Sequence, residues 1–206
     1  MDSLNISVII PVYNLERFLD PMLKSLKEQD IGDYTMEIIF VLNNCTDNSE
    51  EKIRQSCLNC KIMQCEIQGC GPARNVAMDV AQGEYIWFMD GDDWLLSNTA
   101  IKDVLDKAYS QNLDILRIPF DTNKFPWRYF SMVWQYLLRR DYINEFRFPH
   151  IQPAEDDAFM DMVLRKAGYT RSTYIGLPHM ETPLYYYNYL REGSNMYRYI
   201  ILKEKI

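Results

Sequence analysis

The chain has 206 residues, 48% of them hydrophobic and 25% charged, with a formal net charge of -7. That composition describes a folded chain long enough for one sizeable domain and excludes disorder. The acidic balance and the lack of grouped lysines and arginines exclude a nucleic-acid binder, whose phosphate contacts need basic residues on one face.

Ile6-Ser7-Val8-Ile9-Ile10-Pro11 is rich in β-branched residues and predicts a first strand. After Val12-Tyr13-Asn14, Leu15, Phe18, Leu19, Met22, Leu23 and Leu26 recur at helical spacing. A polar break at residues 30–34 leads to a second buried strand at 37–42, which ends at Asn43-Asn44-Cys45-Thr46-Asp47. Thr46 or Asp47 is expected to cap the next helix, running to about Cys57, by accepting from its free N–H groups. A short strand at 62–65 and a glycine-containing loop then deliver Pro72 to the first turn of a helix reaching about Ala81.

The stretch Gly83 to Trp94 opens with the apolar run Tyr85 to Met89, of the length of a buried strand, and stops at Asp90, Asp92 and Asp93. Gly91 lets the backbone turn there. Strand and helix therefore alternate from residue 6 to 89, the pattern of a parallel sheet covered on both faces. An isolated Asp-x-Asp is usually a solvated loop. This one falls at the carboxyl end of a sheet strand, where open α/β sheets bind their ligands. Three carboxylates there repel one another unless a cation sits among them, and a hard divalent ion shared with substrate phosphates resolves the conflict.

Beyond Trp94 the sequence predicts a helix at 98–109, a strand at 113–118, an irregular aromatic and proline-rich stretch at 120–128, and a helix at 134–140. Glu155-Asp156-Asp157 begins an amphipathic helix with Phe159, Met162, Val163 and Leu164 on one side and Gly168 as its stop. Short strands are expected at 174–175 and 184–187. With no internal repeat or low-complexity linker, residues 1–206 read as a single domain.

No run of about 18 apolar residues marks a membrane span, and Met1 to Asn5 has neither the basic nor the apolar region of a signal peptide. A cytoplasmic chain is expected. Several of the 15 tyrosines cluster near the end, which leaves open a peripheral contact at the inner face of the membrane. The five cysteines, an odd number, speak against a disulfide framework. Four of them, Cys57, Cys60, Cys65 and Cys70, have the spacing of a small zinc knuckle, but an extended strand at 61–65 would hold them apart.

Several segments together resemble the family-2 glycosyltransferases. They are Ser7 to Asn14 with Glu16 and Leu19, Thr46-Asp47-Asn48-Ser49, Gly71-Pro72-Ala73-Arg74-Asn75, Gly83 to Asp93, Glu155-Asp156-Asp157-Ala158-Phe159, and Tyr185-Tyr186-Tyr187 with Arg191 and Ser194. They span most of the chain in the family's order. The resemblance implies an inverting enzyme of GT-A type: an α/β fold with a Rossmann-like, mostly parallel central sheet flanked by helices and an acceptor-side C-terminal half. Residues 1–93 would form the nucleotide-sugar-binding half and 94–206 the acceptor-binding half.

The resemblance also implies roles. Asp92 would ligate Mn2+ or Mg2+ and Asp90 would meet the metal or the donor ribose. Pro11, Val12, Tyr13 and Asn43 would line the nucleobase pocket, Arg74 would lie near the diphosphate or the acidic loop, and Arg191 and Ser194 would contact the diphosphate. Asp156 would be the general base, with Glu155, Asp93 and Trp134 on the acceptor side. The implied partners are a nucleotide-sugar donor, UDP-linked by default with GDP and dTDP left open, and a saccharide or lipid-linked acceptor; a homo-oligomer is also left open. One departure matters: relatives commonly carry an Asp where this chain reads Leu42-Asn43. It motivates the alternative of a catalytically impaired nucleotide-sugar-binding module; the cysteine spacing motivates, more remotely, a zinc-knuckle interaction protein.

Overall fold

The computed structural model describes residues 4–122, 132–151, 154–170, 173–188 and 192. In chain order it contains β1 (Ile6–Val12), α1 (Leu19–Lys27), β2 (Met36–Leu42), α2 (Ser49–Gln55), β3 (Lys61–Gln64), α3 (Cys70–Met78), β4 (Tyr85–Phe88), β5 (Trp94–Leu95), α4 (Ala100–Ser110) and β6 (Ile115–Arg117). There follow β7 (Phe120–Thr122), a 3-10 turn at Val133–Gln135, β8 (Tyr136–Arg139), α5 (Arg140–Ile143), α6 (Glu155–Lys166), a second 3-10 turn at Tyr174–Gly176, and β9 (Tyr185–Tyr187).

The main sheet has the order β3-β2-β1-β4-β8-β6. Its first four strands are parallel, and β8 runs antiparallel to both β4 and β6. Because both faces are covered, the strands read as continuous apolar runs whose residues divide alternately between two cores. Val8, Ile10, Phe40 and Trp87 face α1 and α4 through Leu19, Met22, Leu23, Ile101 and Leu105. Ile9, Ile39, Val41, Ile86 and Phe88 face α3 and α6 through Ala73, Ala77, Phe159 and Val163. A smaller sheet, β5-β9-β7, joins the first core through Leu95 and Tyr185.

The loops after β1 and β2 are tied together at the carboxyl edge. Asp47 accepts from the Glu16 N–H at 2.9 Å and from the Ser49 hydroxyl at 2.6 Å, and the Asn14 side chain accepts from the Thr46 N–H at 2.8 Å. Asn14 and Asn44 both hold positive φ, 49° and 56°, which asparagine tolerates better than most residues. The expected cap is therefore displaced: Asn48 occupies the N-cap without a side-chain bond, while Asp47 serves the Ser49 N–H from one residue earlier.

Two expected elements differ. The helix expected at 134–140 is a 3-10 turn followed by β8, because Tyr136, Leu137 and Leu138, all 0% exposed, fill the gap between β4 and β6 and complete their ladders. A short apolar run does not by itself distinguish the two states. The strand expected at 174–175 is a 3-10 turn whose Tyr174 N–H bonds locally to the Thr170 carbonyl at 3.0 Å. The helix expected from Pro72 starts earlier, at Cys70. Of the stretch expected to be irregular, 120–122 is β7 and the rest lies outside the described residues. No helix among the described residues is long and apolar enough to cross a membrane.

At the opposite end of the sheet, buried Glu37 accepts from Ser7 Oγ at 2.6 Å, Lys61 Nζ at 2.7 Å and the Gln82 N–H at 2.6 Å. Burial alone would raise this carboxyl, but the three donors outweigh it and hold it below the ordinary carboxylate value. A group that is a stronger acid in the folded state stabilises fully above its unfolded pKa, and the contribution is lost as pH falls through the lowered folded value. The stability gap between the natural chain and Glu37→Gln should be widest near neutral pH and close below about pH 4, as read by urea unfolding across pH. A gap independent of pH would remove Glu37 from this role.

Candidate active site

The acidic turn follows β4 directly. The Met89 N–H still pairs with the Ile9 carbonyl at 2.9 Å, and the turn is closed by the Asp93 N–H on the Asp90 carbonyl at 3.1 Å. It lies flat against the end of β1: a Cβ on Gly91 would come within 2.7 Å of Leu15 Cδ1 and 3.4 Å of the Pro11 carbonyl. Asp93 points inward and is fully buried. It accepts from the Tyr185 hydroxyl at 2.6 Å and from the Asn188 N–H at 2.8 Å, while the same hydroxyl accepts from the Asp90 N–H at 3.0 Å. Burial, with Asp92 and Asp90 beside it, pushes the Asp93 carboxyl well above its usual range.

Arg74 stands at the centre. It lies on α3, is 2% exposed, and donates Nη2 to Asp90 Oδ1 at 2.7 Å and Nη1 to Asp156 Oδ1. Glu155 Oε1 lies 3.9 Å from Nη1, and the guanidinium sits 5.3 Å from the centre of the Phe148 ring. Its Nε is buried without a hydrogen-bond partner. The other oxygen of Asp156 faces the Val133 N–H at 3.4 Å. Acids that served only the N-terminus of α6 electrostatically would be solvated, whereas Glu155 and Asp156 are 8% and 9% exposed and turned toward Arg74.

Burial raises both Glu155 and Asp156 and Arg74 opposes it. Asp90 is pushed up to about 6 by burial, against Arg74 and with Asp156 and Asp92 adding to the rise. Three carboxylates leaning on one guanidinium leave negative charge in excess, and hard oxygen donors in such excess suit a divalent cation. Among the described residues no three His, Cys, Asp or Glu side chains gather closely enough to hold a metal by themselves. An ion at this turn would have to be held by one or two carboxylates, Asp92 and Asp90 being the residues expected to do so, with phosphate and water in its remaining positions.

The other expected site residues are placed as follows. Pro11 and Val12 are buried in β1, and Tyr13 just beyond them is 49% exposed at the mouth of the edge. Asn43 is 4% exposed and its amide is bonded to backbone alone: to the Cys65 and Ile67 carbonyls and the Gly69 N–H. Trp134 is 1% exposed, its ring stacked between Tyr185 at 4.8 Å and Tyr187 at 4.9 Å, so it builds the core beneath the site. Arg191 and Ser194 lie outside the described residues. Sequence reasoning missed Tyr185 as a support of the acids and Phe148 as a support of the Arg74 guanidinium. Tyr185 stands within the tyrosine triplet, whose alternation along a strand could have singled out its inward position.

The cysteines proposed for a knuckle are all free. Cys57 is exposed beyond α2, Cys65 is buried at the end of β3, and Cys70 opens α3. Burial pushes the Cys70 thiol up to about 12.

The family model described as "Glycosyl transferase family 2" matches residues 7–174. Among curated proteins, the poly(ribitol-phosphate) β-N-acetylglucosaminyltransferase TarS of Staphylococcus aureus is 37% identical over 117 residues, 54% of this chain and 20% of TarS. The putative glycosyltransferase EpsH of Bacillus subtilis is 27% identical over 220 aligned positions, 91% of this chain and 61% of EpsH. The crystal structure of S. aureus TarS with UDP-GlcNAc superposes with a TM-score of 0.77 at 26% identity, covering 94% of this chain and 61% of that one. The chain thus spans a fifth of the length of TarS and about three-fifths of EpsH.

Proposed function

The chain belongs to glycosyl transferase family 2, with a GT-A fold, and from that membership we propose that it moves a sugar, with inversion, from a nucleoside diphosphate donor to a hydroxyl of a saccharide or lipid-linked acceptor. The carrying observation is the convergence of Asp90, at the end of β4, and Asp156, at the start of α6, on the one buried guanidinium of Arg74. On this reading Asp90 is the donor-side acid and Asp156 the acceptor-side acid, and their meeting at the carboxyl edge of the sheet, where α/β folds bind ligands, supports it. The likeness to TarS bound to UDP-GlcNAc supports a UDP-linked donor. The name of TarS, a poly(ribitol-phosphate) transferase, supports an acceptor that is part of a surface polymer.

In the reaction, the acceptor oxygen forms the new bond to the anomeric carbon as the bond from that carbon to the diphosphate oxygen breaks. The nucleoside diphosphate leaves with the electron pair, and the acceptor proton passes to Asp156. Arg74 fixes Asp156 and Asp90 in mutual register, and Glu155 flanks the base. A divalent cation, when bound by Asp92 and Asp90, supplies positive charge to the departing diphosphate. Tyr13 offers an exposed ring for the base.

Calorimetry of UDP binding with Mn2+ tests the donor and metal reading together. Natural chain should bind UDP more tightly with Mn2+ than without it, and Asp92→Ala should lose that increment, an effect of about tenfold or more in affinity. Equal affinities in the two chains would take Asp92 out of the ligand set. Absence of heat with UDP-, GDP- and dTDP-linked sugars alike would end the donor proposal.

A further inference from the structure

Asn43 stands at the end of β2 among three backbone groups of the segment joining β3 to α3. Its amide oxygen accepts from the Gly69 N–H at 2.7 Å, and its amide nitrogen donates to the Cys65 carbonyl at 2.9 Å and the Ile67 carbonyl at 2.7 Å. Both amide protons are used, and the orientation is unique, since flipping the amide would set its oxygen against two carbonyls. This surrounding suits asparagine and not aspartate: a carboxylate has no proton to offer the two carbonyls, and at 4% exposure the loss is not made good by water.

The segment needs such a hold. Glu66, Ile67 and Gln68 are exposed, Ile67 at 58%, so the loop buries little of its own to offset the entropy of ordering it. Gly69 holds φ 126°, a conformation open to glycine, and immediately precedes the helix that carries Arg74. The sheet order sets the ends of β3, β2 and β1 side by side. The ladder continues across them through the Asn43 N–H on Val12 at 2.8 Å and the Cys65 N–H on Leu42 at 2.9 Å. Residues 65–69 therefore form one wall of the carboxyl edge and Tyr13 stands on the other side of Asn43.

We infer that Asn43 is a positioning residue of the donor site, whose amide clasps residues 65–69 to the end of β2 so that their backbone, opposite Tyr13, shapes the nucleobase pocket. Asn43 itself does not touch the base. The inference rests on the nucleotide-sugar reading above and assigns the departure from the family's Asp a purpose: in this chain the base is met by a loop that an amide holds.

The test pairs hydrogen exchange of the 65–69 peptide, without donor, with steady-state kinetics on UDP-GlcNAc in the full chain, for Asn43→Asp and for the smaller, neutral Asn43→Ser in case the charged variant does not fold. Exchange of the loop should rise in both. Donor KM should rise about tenfold, the loss of one or two hydrogen bonds, with kcat within about twofold. A raised KM with unchanged exchange would show that Asn43 touches the donor directly and would overturn the inference. Raised exchange with unchanged KM would also overturn it, leaving the clasp a matter of folding alone. If the natural chain turns over no nucleotide sugar, the proposed function fails and the donor role of the loop with it, while the exchange data still report whether the clasp exists.

Discussion

Replacing Asp156 by asparagine is expected to lower turnover about 10³-fold while nucleotide affinity stays within about threefold. The amide keeps the size of the side chain and an oxygen for Arg74, so the site is held, but it cannot take the acceptor proton at neutral pH. The carboxylate it replaces is poised by opposing influences: burial raises it, and the Arg74 guanidinium keeps the ionised form available. Steady-state kinetics with a UDP-sugar, beside calorimetry with UDP, separate chemistry from binding. A variant turning over within tenfold of the natural chain would show that the proton goes elsewhere, and a melting temperature close to the natural one would certify that the loss is chemical.

The second large effect is structural and catalytic together. Arg74→Met should remove about 3–5 kcal/mol of stability, the cost of stranding buried carboxylates that have lost their partner, and should abolish transfer. Asp90, Glu155 and Asp156 all lean on this guanidinium, and Glu155 and Asp156 have less than a tenth of their surface in water. Lysine at this position should recover only part of the loss, because its donors all sit on one nitrogen and it lacks the planar fork whose two nitrogens meet Asp90 and Asp156 separately. Urea unfolding measures the first effect and product formation the second. An Arg74→Met chain as stable as the natural one would mean that the acids tolerate each other without it.

The parallel half of the fold was legible because its strands are long, apolar and separated by amphipathic helices, so that β1, β2 and β4 and the helices between them announce themselves by period. β8 was not legible, since Tyr136 to Arg139 is a short apolar run whose state is decided by the vacancy between β4 and β6. The acids of the site could be read from their place at the ends of elements. Their pairing could not: Arg74 and Asp156 are 82 residues apart, and nothing local distinguishes a buried arginine from a surface one on a helix. Trp134 and Asn43 were set near the substrates by the resemblance, and nothing local says how a buried aromatic ring or a buried amide is packed. The structure places the first in a stack of tyrosines and the second against backbone. Asp93, which the resemblance set on the acceptor side, has its partners in and just beyond β9, Tyr185 and Asn188.

The Tyr185 hydroxyl, which takes the Asp90 N–H and gives its proton to Asp93, joins positions 95 and 92 residues apart. Contacts of such separation close late in folding, after local helices and neighbouring strands have formed. On a ribosome the parallel sheet can assemble while β9 is still to be made. The acidic turn then waits, without its anchor, for nearly the last of the described chain to emerge. The acidic turn is thus set only once β9 has been made, and a chain terminated before β9 would carry a sheet without that anchor.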